Sequence, residues 1–304
     1  MPATWDLNRR YREAMTNHDN IRSRALRLLI SIFFFAGVRV RQAFSQMLGG
    51  TPTATCIVLY YHSVASEYRK VFAKQMDMVL RFTNPIDPEH LPPLLPGRHY
   101  SVITFDDGFQ DAVENAVPEL VSRGIHAMFF VTAGALGNTA DWWPVANLEH
   151  ARRIATAEHL RLMPSKLISV GAHTVTHPHL STLDESHVKH EILESRRQLE
   201  SLLGQKVRTL SFPFGDFDDK VVQWSREAGY ERAFTTEHRK AFENPESFLV
   251  GRVKAEPTDW PLEFRLKILG GYVWLPYAVA LKRWLRIIVT RRFRRLDQSV
   301  SSPS

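Results

Sequence analysis

Two adjacent carboxylates, Asp106 and Asp107, and two histidines four residues apart, His173 and His177, are the residues of this 304-residue chain whose types and spacing suit hydrolytic chemistry. Two imidazoles so spaced can face one metal ion. A carboxylate makes a third protein ligand and leaves an open position for water, which is the arrangement of a catalytic rather than a structural site. A metal held in this way lowers the pKa of its water and polarises a carbonyl. The second carboxylate is then free to accept the water's proton. Read alone, the aspartate pair fits a helix N-cap equally well, since carboxylates suit the N-terminal end of the helix dipole. The same donor set also occurs as the facial triad of non-haem iron oxygenases, although the order Asp, His, His on strand ends fits that class poorly. A third segment, Leu210-Ser211-Phe212-Pro213-Phe214-Gly215-Asp216, forms a turn around Pro213 whose Phe214 N–H is a candidate oxyanion donor. A plain tight turn is the simpler alternative.

Taken in order, Thr104-Phe105-Asp106-Asp107-Gly108, His173-Thr174-Val175-Thr176-His177 and Phe212-Pro213-Phe214-Gly215, with Leu59-Tyr60-Tyr61-His62-Ser63 upstream, resemble the motifs of the polysaccharide deacetylases. This is carbohydrate esterase family 4, the NodB-homology domain, and the resemblance spans roughly residues 55 to 236. It implies a distorted (β/α) barrel of fewer than eight units. It also implies hydrolysis of an N-acetyl, or sometimes N-formyl, amide on an amino sugar. Carried over by position, Asp106 is the implied base, and Asp107, His173 and His177 are the implied ligands of zinc, with cobalt or nickel as substitutes.

The sequence departs from the family pattern twice. Ser211 stands where many members place the arginine that partners the base, and no late histidine follows Phe248 to act as general acid. His62, at a strand end, is the first candidate for the missing proton donor and His179 the second. Arg252 is a candidate for stabilising negative charge or binding a phosphate. In Asp141-Trp142-Trp143-Pro144 one of the two rings, with Trp142 as the candidate, can stack on a sugar. The alternative to a working enzyme is a catalytically impaired, membrane-associated glycan-binding accessory protein of the same fold.

Positioning these groups requires strands that end at them. Apolar runs at Ile57–Tyr61, Ser101–Phe105, Ala127–Thr132, Leu167–Gly171 and Thr209–Phe212 read as strands. Amphipathic segments at Gln110–Arg123, Asp184–Leu203 with Gly204 as stop, and Lys220–Glu227 read as helices. Strands alternating with helices imply a mostly parallel sheet with its reactive groups at the strand C-termini.

The flanks are different in kind. Nine Lys and Arg and no acid fall between Arg265 and Arg295; taking them from the total of 39 leaves 30 basic against 32 acidic residues, so the body of the protein is slightly acidic. That charge distribution argues against a nucleic-acid partner. The eleven-residue apolar run between Arg27 and Arg39 would reach roughly 16 Å as a helix, too short to span a bilayer. An interfacial helix and a helix packed on the domain are the two readings of it. Gly270, Gly271 and Pro276 interrupt the apolar stretch from Ile268 to Leu281, and the basic, Trp- and Ile-bearing segment beyond suits an anionic membrane surface. The tail after Leu296 is expected to be disordered. The chain thus divides into a helical flank at 1–50, a metal-dependent deacetylase domain at 51–262 and a basic amphipathic segment at 263–304. The expected substrate is an N-acylated sugar or glycan, polyprenyl-linked in one version. With the lone Cys56 and no clear cleavable signal, the expected location is the cytoplasm, at the inner face of the membrane.

Overall fold

A computed structural model describes residues 21–143 and 152–281. Pro144, the basic cluster from Lys282 to Arg295 and the serine-rich tail lie outside the described residues. Among the described residues nine strands form one sheet: β1 (Thr55–Tyr61), β2 (Asn84–Pro85), β3 (His99–Phe105), β4 (Ala127–Val131), β5 (Ile168–Ala172), β6 (Thr209–Ser211), β7 (Arg232–Phe234), β8 (Leu249–Val250) and β9 (Val253–Lys254). All their pairings are parallel, in the order β8-β7-β6-β5-β4-β3-β1-β9, with β2 beside β3. The two ends of that order, β8 and β9, are separated in the chain only by Gly251 and Arg252. One short segment is therefore bonded to β7 and to β1, and the sheet curls into the expected distorted (β/α) barrel.

Side chains alternate across each strand. Cys56, Val58, Tyr100, Val102, Met128, Phe130 and Phe234 form one buried cluster inside the curl. Ile57, Leu59, Tyr61, Ile103, Phe105 and Phe129 belong to a second cluster, between sheet and helices. Gly171 has to be glycine, because a Cβ there would sit 2.6 Å from the Phe130 ring and 2.7 Å from Thr209 Oγ1. Burial pushes the Cys56 thiol up to about 12, which makes it an inert packing residue.

Among the described residues, the helices around the sheet include α1 (Ile21–Met47), α2 (Arg69–Phe82), α3 (Gln110–Ser122), α4 (Ala157–Leu162), α5 (Glu185–Leu203), α6 (Asp219–Glu227) and α7 (Pro261–Ile268). The Asp184 carboxylate caps α5 by accepting from the His187 N–H at 3.0 Å, and Gly204, at φ 66°, ends it. α7 runs across the domain boundary expected at 262. Its Phe264, Leu266 and Ile268 are buried in the core, so the folded unit continues past that point.

The apolar run near the N-terminus is part of α1, 27 residues long. One stripe of α1 is held against the domain. Ser31 is fully buried and accepts from Trp274 Nε1 at 2.8 Å, and Arg24 donates to Glu263 and to the Thr258 carbonyl at 2.8 and 2.7 Å. The other face exposes Leu26, Leu29, Ile30, Phe33, Val40 and Phe44. The packed-helix reading is thus realised on one face of α1, while the opposite face is exposed and apolar. Among the described residues no helix is long and apolar enough to cross a membrane.

His238, in the segment between β7 and β8, accepts the Lys254 N–H through Nε2 at 3.2 Å. Burial, reinforced by Lys267, Arg27 and Lys254, holds its pKa at about 4. The unfolded chain takes up a proton at this histidine below about pH 6.5, while the folded protein resists until about 4. Stability is therefore complete above pH 6.5 and falls as pH drops towards 4, by up to about 3 kcal/mol from this one group. His238→Gln is expected to flatten the denaturation midpoint against pH across that window. An unchanged slope would refute the assignment.

Candidate active site

β3 places Tyr100, Val102 and Thr104 towards the barrel interior, and the same alternation carries the Asp106 side chain inward just past the strand's end. The Asp106 N–H donates to the Tyr61 carbonyl at 2.9 Å. The chain then turns sharply: Asp107 and Gly108 have φ of 68° and 80°. Four of the five non-glycine residues with positive φ among the described residues are Asp107, Thr174, His177 and Phe214, all in the three motif loops. Each such residue costs on the order of 1–3 kcal/mol, and strain of this kind collects where a side chain has to be aimed. The helix-cap reading of the aspartates does not hold, since α3 starts from Phe109 and no side chain caps it.

Asp107, His173 and His177 are buried together with one ligand atom of each within 4.8 Å of the others. Both Nε2 atoms approach Asp107 Oδ1, at 3.3 Å from His173 and 3.1 Å from His177. Donation from His173 Nδ1 to the Ser211 carbonyl, at 2.7 Å, fixes its tautomer and leaves Nε2 as a lone pair. This donor set and tautomer fit a divalent metal. Burial works against the charge on Asp107, yet His177 and His173 outweigh it and hold the carboxyl well below its ordinary range. Burial lowers the His177 pKa, which favours the neutral form that binds metal.

Glu191, on α5, is a site residue that the sequence motifs do not reveal. Its carboxylate accepts from the N–H groups of Val175 and Thr176 at 2.7 and 2.9 Å and from Thr176 Oγ1 at 2.7 Å, clamping the loop between the two histidines. Its only sequence signal is a carboxylate on the inward face of an amphipathic helix. Glu191→Gln, which turns one acceptor oxygen into a donor, is expected to weaken metal binding by about 10- to 100-fold. Competition with a chelator measures this, and an unchanged affinity would rule out the clamp.

Arg252 corrects the sequence reading. Fully buried between β8 and β9, it grips Asp106 with two parallel bonds, Nη1 to Oδ1 at 2.7 Å and Nη2 to Oδ2 at 2.8 Å. Nη2 also reaches Ser211 Oγ at 2.8 Å, Nη1 reaches Thr104 Oγ1 at 3.2 Å, and Nε reaches the Thr235 carbonyl at 3.1 Å. With its donors engaged and no exposure, Arg252 is not available to bind substrate or phosphate. It supplies the guanidinium that the Ser211 position lacks, and the small serine leaves the space it occupies. Burial alone would raise the Asp106 pKa, but Arg252 and then His173 bring it below the ordinary carboxylate value.

The other candidates gather at the rim. His62 lies half-buried between Tyr60 and Trp143, with ring centroids 5.6 and 5.4 Å away. Burial lowers its pKa despite the nearby Asp107 and Asp106. Trp142 stacks on His177 at 4.6 Å, while Trp143 packs edge-on against Phe109 at 5.3 Å, so the adjacent indoles do face different ways. Pro213 is buried in its turn, and Phe214 touches both His177 and His179, at 4.5 and 4.0 Å. His179 is a surface residue, 3.8 Å from Asp216.

A parallel (β/α) barrel carrying an Asp-His-His cluster and a second, arginine-held aspartate at its strand C-termini defines the class of barrel hydrolases. More particularly, the polysaccharide deacetylase family model matches residues 96–233, and over this domain the chain is similar to that family. Among its relatives, YxkH of Bacillus subtilis (strain 168) is 23% identical over 211 residues, 66% of this chain and 71% of that one. A peptidoglycan-N-acetylglucosamine deacetylase of Bacillus cereus is 26% identical over 129 residues, 42% of this chain and 41% of that one. The structure of IcaB from Ammonifex degensii superposes with a TM-score of 0.56 at 25% identity, covering 71% of this chain and 99% of that chain.

Proposed function

We propose that this chain is a metal-dependent deacetylase that removes an N-acetyl, or in a variant reading an N-formyl, group from an amino sugar in a polysaccharide or lipid-linked glycan. The carrying observation is the meeting, in one buried mouth, of a three-ligand Asp107-His173-His177 cluster with Asp106 held by Arg252. A metal bound at that cluster, zinc first with cobalt or nickel as substitutes, lowers the pKa of a water and polarises the amide carbonyl. Asp106 accepts the water's proton, and Arg252 keeps its two oxygens in a single orientation. The Phe214 N–H is assigned to the developing oxyanion. His62 is assigned to relay to the leaving amine the proton that Asp106 takes from the water. Trp142 is assigned to provide an aromatic face for the sugar.

Arg252 removes the main support for the impaired accessory protein, because the base does have its partner. The domain match likewise leaves the iron oxygenase reading without a fold. Mass spectrometry of N-acylated sugars, free and lipid-linked, incubated with zinc-loaded protein is expected to show loss of one acyl group, abolished by chelation. A panel left wholly intact would overturn the proposal.

The enzyme is further proposed to work against a membrane, at its cytoplasmic face. The exposed apolar row on α1 and the arginines of both flanks support this. Because α7 is core, the suitable test is substitution: Leu29→Gln with Phe44→Gln is expected to move the protein out of the membrane fraction. Unchanged fractionation would refute this part.

A further inference from the structure

A cavity of about 960 Å³ lies far from the catalytic mouth. Thr55 and His99, the first residues of β1 and β3, line it, so the length of a strand, roughly 20 Å, separates it from Asp106. The other walls come from α1, from the segment between β7 and β8, and from the residues after α7. The volume is that of a small-molecule site.

Its lining divides by chemistry. Phe33, Phe242, Val273 and Tyr277 are apolar, whereas Arg39, Arg41, Arg239 and Lys240 are cationic and Glu243 is the lone acid in the lining. Arg239 pairs with Glu237 at 3.0 Å and Lys240 with Glu243 at 3.5 Å, which leaves Arg39 and Arg41 as the surplus positive charge among the described residues. His99 registers that field: burial first, then Arg39 and Lys240, lower its pKa, and its buried Nδ1 lacks a hydrogen-bond partner among the described residues. At the mouth, Phe33 and Tyr277 are 69% and 76% exposed and continue the apolar outer face of α1. An exposed apolar surface opening into a cation-bearing cavity calls for an amphiphile with a negative head.

We propose that this cavity seats one anionic membrane lipid, its phosphate on Arg39 and Arg41 and an acyl chain along Phe33, Phe242, Val273 and Tyr277. A sugar attached directly to that phosphate would lie a strand's length from Asp106, so the lipid is an anchor and not the substrate. The inference rests on the membrane-contact part of the reading above and is independent of its chemistry.

The test uses the full chain, incubated with vesicles of phosphatidylcholine alone or with phosphatidylglycerol and then examined in mild detergent by native mass spectrometry. About one phosphatidylglycerol per chain is expected to remain bound, against little phosphatidylcholine, and excess inorganic phosphate should not displace it. Arg39→Glu with Arg41→Glu, both exposed positions, is expected to lower occupancy at least about tenfold. Val273→Trp, which fills the apolar side, should do the same, and neither variant should alter acyl release from a soluble N-acetylated sugar. Absence of bound lipid, equal retention by the variants, or displacement by inorganic phosphate would each overturn the proposal. Co-sedimentation with the vesicles separates the two claims, since a protein that sediments yet retains no lipid keeps the membrane contact and loses the cavity.

Discussion

Asp106→Asn is expected to lower the turnover of an N-acetylated amino sugar by about 10²- to 10⁴-fold, the range for removing a positioned general base. Under the proposed assignment the loss falls on kcat, with KM little changed, because Asp106 acts on the water and not on the sugar. The metal ligands are untouched, so metal content should stay at the wild-type level. The comparison is best made at matched metal occupancy, because Asn also disturbs Arg252: its oxygen can accept one guanidinium N–H, while its amide presents a donor to the other. A fully metallated variant that keeps more than about a tenth of the wild-type rate would be incompatible with Asp106 as the base.

Arg252→Met should be the most damaging substitution for the fold. The side chains are similar in length, but the change strands a carboxylate that is 3% exposed and removes the donor to Ser211, Thr104 and Thr235. Breaking a buried ion pair by deleting one partner costs about 3–5 kcal/mol, because the remaining charge is left uncompensated. Activity should fall together with stability, since Asp106 would lose the two-point grip that aims it. Arg252→Lys should recover only part of either, since an ammonium cannot make the parallel pair of bonds. The double variant Asp106→Asn with Arg252→Met makes the argument decisive. It should regain much of the lost stability, as removing both charges does elsewhere, and remain inactive. Denaturant unfolding and acyl-release rates on the four proteins give both cycles. A wild-type midpoint for Arg252→Met alone would show that the pair does not carry the load assigned to it.

The chain order of residue types determined a good deal by itself. The three motifs sit at the ends of β3, β5 and β6, and their carboxylates and imidazoles announced a metal-binding hydrolase site because no cheaper local role accounts for all of them together. β1, β3, β4 and β5 were legible because a run of five to seven mostly apolar or β-branched residues has few other uses, and β6 because a motif marks its end. The alternating strands and helices then implied parallel pairing. β2, β7, β8 and β9 were not legible, since two or three residues with no motif beside them display no period.

Tertiary structure alone decided the partner of Asp106. Arg252 lies 146 residues away in sequence, on the short segment that joins the two edges of the sheet, and no local pattern encodes which strand closes a curl. The same holds for Glu191, whose carboxylate reads as a surface charge until α5 packs it under the histidine loop. It holds again for α1, whose two apolar faces are indistinguishable in sequence until one of them meets Trp274 and α7 and the other meets nothing among the described residues. Local sequence specifies which groups are present and which way a strand points them. Which distant groups they meet depends on closure of the sheet, a property of the whole chain.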